Sequence, residues 1–129
     1  MKQTLKAHNP IKHAKSFKYA FNGIFHALLN EANFRVQIVI TAIAVLLGIY
    51  YRISVEEWSI LTLATGLLLS AEMFNTVLEN IIDRLITDYD ENAKIIKDLA
   101  AGFVLIMAVT CAILLGLIFG SRILVTVFN

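Results

Sequence analysis

Charge is scarce in this sequence. Only 16% of its 129 residues are Asp, Glu, Lys or Arg, where a soluble domain of this size carries about a quarter. Breakers are scarce too: there is one proline and there are six glycines. That excludes a turn-rich β architecture and favours a few long helices. Cysteine is nearly absent. Cys111 stands alone in an apolar run, so no disulfide forms within the chain and the redox compartment is unmarked. The three histidines, His8, His13 and His26, lack ligand spacing with any Cys or His, which argues against a zinc-type metal site. A net charge of +1 leaves no global field to attract nucleic acid. The N-terminus is charged and aromatic with no early apolar core, so it does not read as a signal peptide. No repeat or low-complexity segment is present.

What remains is mostly apolar. Hydrophobic residues make up 58% of the chain, and its length suits one domain. The expectation is a single all-α membrane domain over residues 1–129. Asn9 and Pro10 read as an N-cap and first helical position. From there Ile11, Ala14, Phe17, Phe21, Ile24, Phe25 and Leu28 recur at helical spacing. Lys12, Lys15, Asn22 and His26 fall mainly on the other side. This predicts an amphipathic helix over about 10–33, basic on its polar face and suited to the membrane interface.

Three spans follow, at 34–52, 58–82 and 99–120. The first is short, but ~20 apolar residues cross a ~30 Å hydrocarbon core. Trp58 would anchor the second at the interface. No charge stands between Asp98 and Arg122 in the third. The linkers are then Arg52–Glu57 and Arg84–Asp98. With the N-terminus inside, Lys2, Lys6, Lys12, Lys15, Lys18, Arg84, Lys94 and Lys97 are cytoplasmic, and only Arg52 and Arg122 lie outside. The positive-inside rule predicts that orientation.

The middle span does not stay apolar. It takes on Glu72, Asn75, Thr76, Glu79 and Asp83, spaced to form one stripe of a helix. Counting ~1.5 Å per residue from Trp58, Glu72 lies about 21 Å in, and Glu79 about 10 Å further, near the cytoplasmic surface. A carboxylate facing lipid at Glu72's depth costs roughly 2.5–3.5 kcal/mol. The stripe therefore faces protein, water, a cation or a polar ligand. Hydrogen bonding between helices is one explanation, but that needs one or two polar groups, not three carboxylates and an amide. A site here suits a reaction between a lipid head group and a cytosolic reagent. Glu72 could take a proton from a lipid hydroxyl. Glu79, with Glu31 from LLNEANFR, could hold Mg2+, which favours carboxylate and phosphate oxygens. Lys94 and Lys97, one turn apart, could meet phosphates; a charge run of this kind is otherwise a solvated loop.

This combination resembles the prokaryotic diacylglycerol kinase family, which includes undecaprenol kinases. The family signature looks like E-x-x-N-[ST]-x-[LIV]-E-x-x-[LIV]-D, and here it stands as EMFNTVLENIID, Glu72 to Asp83. EANFR, Glu31 to Arg35, and AKIIKD, Ala93 to Asp98, match the flanking blocks. The resemblance covers about residues 11–120. It implies a homotrimer of three-span subunits with an N-terminal surface helix in the bacterial cytoplasmic membrane. It implies phosphoryl transfer from ATP to a lipid alcohol, with Mg2+, at sites shared between subunits. Carried over by position, Glu72 would be the general base, and Glu31 and Glu79 would bind Mg2+ and, through it, ATP. Tyr19, Asp88, Tyr89, Asp90, Lys97 and Asp98 would line the nucleotide, with Lys12 as a further basic contact. Asn75, Asp83 and Lys94 would support the site. Asp90 stands where a His is usual, and Gln37 replaces an acidic residue of some diacylglycerol kinases. There is no Walker-type glycine loop. The blocks DLAAGFVL, SFKYAFNGI and NFRVQI look closer to the undecaprenol kinase branch. Undecaprenol is therefore the expected substrate, diacylglycerol the alternative, and a non-catalytic membrane assembly protein the reading outside enzymology.

Overall fold

The structure, a computed structural model, describes residues 10–128, with side chains from residue 15 onward. Asn9 and the side chains of Ile11, Lys12, His13 and Ala14 lie outside the described residues. Four helices follow in order: α1 Pro10–Asn30, α2 Ala32–Tyr51, α3 Val55–Leu85 and α4 Glu91–Phe128. The described residues contain no strand. α2, α3 and α4 are each long and apolar enough to cross a membrane. We read the chain as a multi-pass membrane protein.

One residue separates α1 from α2. Glu31 is extended, with φ −102° and ψ 115°, so the chain changes direction there. A helix that ends leaves its last carbonyls without partners. Here side chains supply them: Asn30 Nδ2 donates to the His26 carbonyl at 2.8 Å, and Arg35 Nη1 donates to those of Leu28 and Leu29 at 3.3 and 2.9 Å. A guanidinium at a helix C-terminus also meets the favourable end of the dipole. Arg35 thus pins the corner that presents Glu31.

The turn from α2 to α3 is tight. Arg52 is left-handed, φ 50° and ψ 52°, and its N–H returns to the α2 carbonyls. Ser54 Oγ then accepts from the Glu57 N–H at 3.2 Å, and Glu57 Oε2 accepts from the Ser54 N–H at 2.8 Å. This reciprocal cap satisfies two N–H groups at the start of α3. Glu57 also receives Arg122 from α4, at 2.8 and 3.0 Å. α3 is thereby tied to α4 at this end. At the other end Lys97 of α4 meets both oxygens of Asp83 of α3, at 2.9 and 3.2 Å.

Between these ties the packing is apolar and thin. Ala44, Ile53, Leu61, Ile118 and Phe119 form one buried cluster; Ala64, Leu68 and Cys111 form the next. Most large apolar side chains are exposed, among them Phe17, Leu46 and Leu117. That arrangement suits lipid or another apolar surface, not water.

Gly48 is where α2 and the start of α3 touch most closely. A Cβ there would lie 2.8 Å from Trp58 Cη2 and 3.1 Å from Ile53 Cδ1. The indole is rigid, so the backbone must yield. Gly48→Ala is expected to destabilise the protein by about 1–3 kcal/mol, the usual cost of overpacking. Thermal unfolding in detergent measures it, and an unchanged Tm would mean that Trp58 does not pack there.

The helix ends differ from the sequence expectation in both directions. The first helix, expected to run to about 33, ends at Asn30, because Glu31 breaks it. The second span begins at Val55 instead of Trp58, because Ser54 caps it. The segment 91–98 is helix and not linker: Asp90 Oδ1 accepts from the Ala93 N–H at 2.8 Å and caps α4. The last helix also runs past Gly120 to Phe128.

Candidate active site

α2 and α3 run antiparallel, as their short turn requires. They meet at polar side chains in an otherwise apolar contact. Glu72 is 2% exposed. Its Oε2 accepts from Gln37 Nε2 at 2.9 Å. Thr76 Oγ1 donates to the Glu72 carbonyl at 3.1 Å, which keeps that hydroxyl within its own helix. One turn on, Asn75 Nδ2 donates to Glu79 Oε1 at 3.1 Å. Glu72, Asn75 and Thr76 are buried, Glu79 is half-buried, and Asp83 is exposed. The stripe therefore runs from the interior of the helix contact out to water.

Two buried acceptors have no partner among the described residues: Gln37 Oε1 and Asn75 Oδ1. Such a group costs about 1–3 kcal/mol if left unmet. Each sits beside a carboxylate of the expected chemistry, Gln37 beside Glu72 and Asn75 beside Glu79.

Glu72 and Gln37 open onto a groove of about 420 Å³. α4 lines its far wall with Ala101, Val104, Leu105 and Ala108. A carboxylate at the bottom of an apolar groove can meet the polar end of a long apolar molecule while its tail lies along the walls.

Glu31 and Glu79 reach a similar level by different routes. Glu31 is six residues before Gln37, about 9 Å along α2, and Glu79 is seven residues past Glu72, about 10 Å along α3. Because the helices are antiparallel, both displacements point to the same end of the bundle. The Glu31 carboxylate has no hydrogen bond among the described residues. No cluster of three or more His, Cys, Asp or Glu that could hold a metal is gathered among the described residues. The pair of carboxylates is a partial donor set.

The remaining candidates fall at that same end. Lys97 is held by Asp83. Lys94 lies 3.6 Å from Asp98 on its own helix, with both side chains mostly exposed. Asp88 is exposed, as are Tyr19 and Tyr89, the latter 80%. Asp90 is engaged as the α4 cap. Lys12 belongs to α1, and its side chain lies outside the described residues. The chain thus brings together Glu72 with Gln37, Asn75 with Glu79, and Asp83 with Lys97. It does not bring Tyr19, Asp88 or Tyr89 onto them.

Two residues were missed as site members by the sequence reading. Gln37 was weighed only for lipid preference, as a neutral residue near the head group in place of an acidic one; its pairing with Glu72 is not marked in the pattern of α2. Arg35 stood inside the EANFR block, but its role at the end of α1 needs the corner at Glu31, which the sequence did not mark.

The same residues lie within a match to a known family. A family model described as prokaryotic diacylglycerol kinase matches residues 18–119, which include every candidate except Lys12. Among relatives, the undecaprenol kinase of Bacillus subtilis is 34% identical over 105 residues, covering 81% of this chain and 85% of its own. A diacylglycerol kinase of Synechocystis is 35% identical over 103 residues, covering 78% of this chain and 58% of its own. The diacylglycerol kinase of Escherichia coli is 29% identical over 99 residues, covering 77% and 81%. With a match of that extent lying across the buried stripe and both flanking blocks, the chain belongs to the prokaryotic diacylglycerol kinase family.

Proposed function

We propose that this protein is a lipid kinase that transfers the γ-phosphoryl group of ATP to the hydroxyl of a membrane polyprenol, undecaprenol in preference to diacylglycerol. The observation that carries the reading is the Glu72 carboxylate, buried at the bottom of an apolar groove and held by Gln37. Lipid enters sideways from the bilayer and lays its hydroxyl against Glu72. Glu72 orients that hydroxyl and accepts its proton as the oxygen attacks phosphorus. Phosphoryl transfer asks mainly for alignment and charge neutralisation, which fits a site with no covalent nucleophile.

The donor set fits Mg2+. Two carboxylates, Glu31 and Glu79, and the unpartnered Asn75 Oδ1 beside Glu79 are hard oxygen ligands, and Mg2+ takes few protein ligands together with substrate phosphates. When bound, Mg2+ would neutralise and align the triphosphate. Asn75 orients Glu79 through its amide N–H. Asp83 holds the Lys97 ammonium, whose remaining N–H can meet a phosphate oxygen. Tyr19, Asp88, Tyr89, Asp90 and Asp98, all exposed, are available to a nucleotide arriving from water, with Lys12 and Lys94 as further basic residues of the same set. A homotrimer, in which a second copy completes the nucleotide site, accounts for candidates that do not converge on one chain and for the exposed apolar faces of α2 and α4. The basic N-terminal segment favours a cytoplasmic N-terminus, with α1 lying in the interface of the bacterial cytoplasmic membrane.

The preference for undecaprenol rests on Gln37 and on the AAGF and NFRVQI blocks. A polyprenol offers one hydroxyl and an isoprenoid tail. It needs fewer polar partners than the ester region of a glycerolipid. In mixed micelles, undecaprenol is expected to show the higher kcat/KM, with little inhibition by diacylglycerol. If diacylglycerol wins this competition by about tenfold, or about 1.4 kcal/mol of transition-state preference, the polyprenol assignment is wrong. No ATP turnover with either lipid would leave the stripe as assembly glue.

A further inference from the structure

The Gln37 amide is used on one side only. Its Nε2 donates to Glu72 Oε2, while its Oε1 is buried with no partner among the described residues. Gln37 is itself 8% exposed. Glu72 Oε1 carries no hydrogen bond among the described residues. On the α4 side the groove brings only apolar side chains and Cys111. The other polar side chain in the groove, Asn33, lies one turn before Gln37 on α2 and makes no hydrogen bond to Glu72.

From this geometry we infer that Gln37 is a positioning residue for Glu72, one that serves both of its proton states. The inference rests on Glu72 being the base. A carboxylate only accepts hydrogen bonds, whereas a carboxylic acid also donates one. Before transfer, Gln37 Nε2–H holds Oε2 and leaves Oε1 of Glu72 for the lipid hydroxyl. During transfer the hydroxyl proton passes to Glu72, the lipid oxygen bonds to phosphorus, and the bond from phosphorus to the ADP oxygen breaks. Glu72 is then an acid with a proton to donate. The carboxyl group turns its protonated Oε1 toward Gln37, and a half-turn of the Gln37 amide exchanges Nε2 for Oε1, so that the acceptor that had no partner accepts a hydrogen bond from the Glu72 O–H. An amide is the side chain that offers a donor and an acceptor at equal reach and carries no charge of its own. A carboxylate at position 37 would face Glu72 with a like charge; an aliphatic side chain would hold neither state.

Gln37→Met keeps the length and removes both functions. It is expected to lower kcat by about tenfold or more while ATP KM stays within about twofold. Combined with Glu72→Gln, it should cost nothing further, because it acts through Glu72. A kcat near that of the unmodified protein, or losses that multiply in the double variant, would overturn the inference. Glu72→Gln retaining normal kcat would overturn the base assignment instead, so the two failures are distinct. A second measurement does not depend on the Gln37 variant assembling. The chain has two glutamines, Gln3 and Gln37, so 15N-glutamine labelling gives two side-chain amide signals. Glu72→Met, which adds no third glutamine, should move the Gln37 signal and leave that of Gln3 in place. A Gln37 signal that stays put excludes the contact.

Discussion

Glu72→Gln protein is expected to fold and assemble normally and to lose at least ~10²-fold in kcat for lipid phosphorylation. The substitution preserves volume and packing. Glu72 is almost wholly buried against Gln37, so a truncation would confuse lost chemistry with lost structure. A glutamine still fits the groove and still hydrogen-bonds, but it is no base at neutral pH. The loss should fall on kcat more than on the KM for ATP, since the nucleotide candidates lie toward the other end of the stripe. Steady-state kinetics in mixed micelles reads both. A near-normal kcat would sink the role of Glu72.

Glu79→Ala and Glu31→Ala are each expected to raise the Mg2+ concentration for half-maximal activity by about tenfold or more, the scale on which even indirect partners of a metal act. The two carboxylates stand at one level of the bundle, and the Glu31 side chain is otherwise unused. The Glu79 variant carries a second effect. It takes away the acceptor of Asn75 Nδ2 and leaves a buried amide with no partner among the described residues, which costs about 1–3 kcal/mol. Glu79→Gln keeps a partner for Asn75 and separates metal binding from stability. Unchanged Mg2+ titrations in both alanine variants would move the metal elsewhere.

Much of the fold was legible because membranes simplify patterns. Long apolar runs interrupted by short polar ones left little choice but helices. The stripe from Glu72 to Asp83 was legible because a carboxylate at that depth demands a reason. At α3 and α4 the helix outruns the expected span because the end of an apolar run is not the end of a helix. Lipid stops where the charge begins, but the hydrogen-bond ladder does not. Asp90 caps α4 nine residues before the apolar run starts at Leu99, and the charged turn Lys94–Asp98 lies within the ladder. The Gln37–Glu72 pair was out of reach for another reason. It depends on how α2 rotates against α3, and α2 is apolar almost all round, so its pattern hardly marks which face turns inward. Arg35 was hidden by the corner it closes.

The early start of α4 has a consequence for how the membrane itself enters the chemistry. A helix of 38 residues is about 57 Å long, against a hydrocarbon core of about 30 Å. The excess stands outside as a rigid extension of the span, with Lys97 on it. Helices adjust to bilayer thickness by tilting. From the middle of α4 to Lys97 is about 20 Å, so a tilt of about 10° swings that end by about 3–4 Å. Asp83 resists the swing through its ion pair, and Glu57–Arg122 resists it at the opposite end. A change in bilayer thickness would thus reach Lys97 as a displacement, while Glu72, level with the middle of α4, would hardly move.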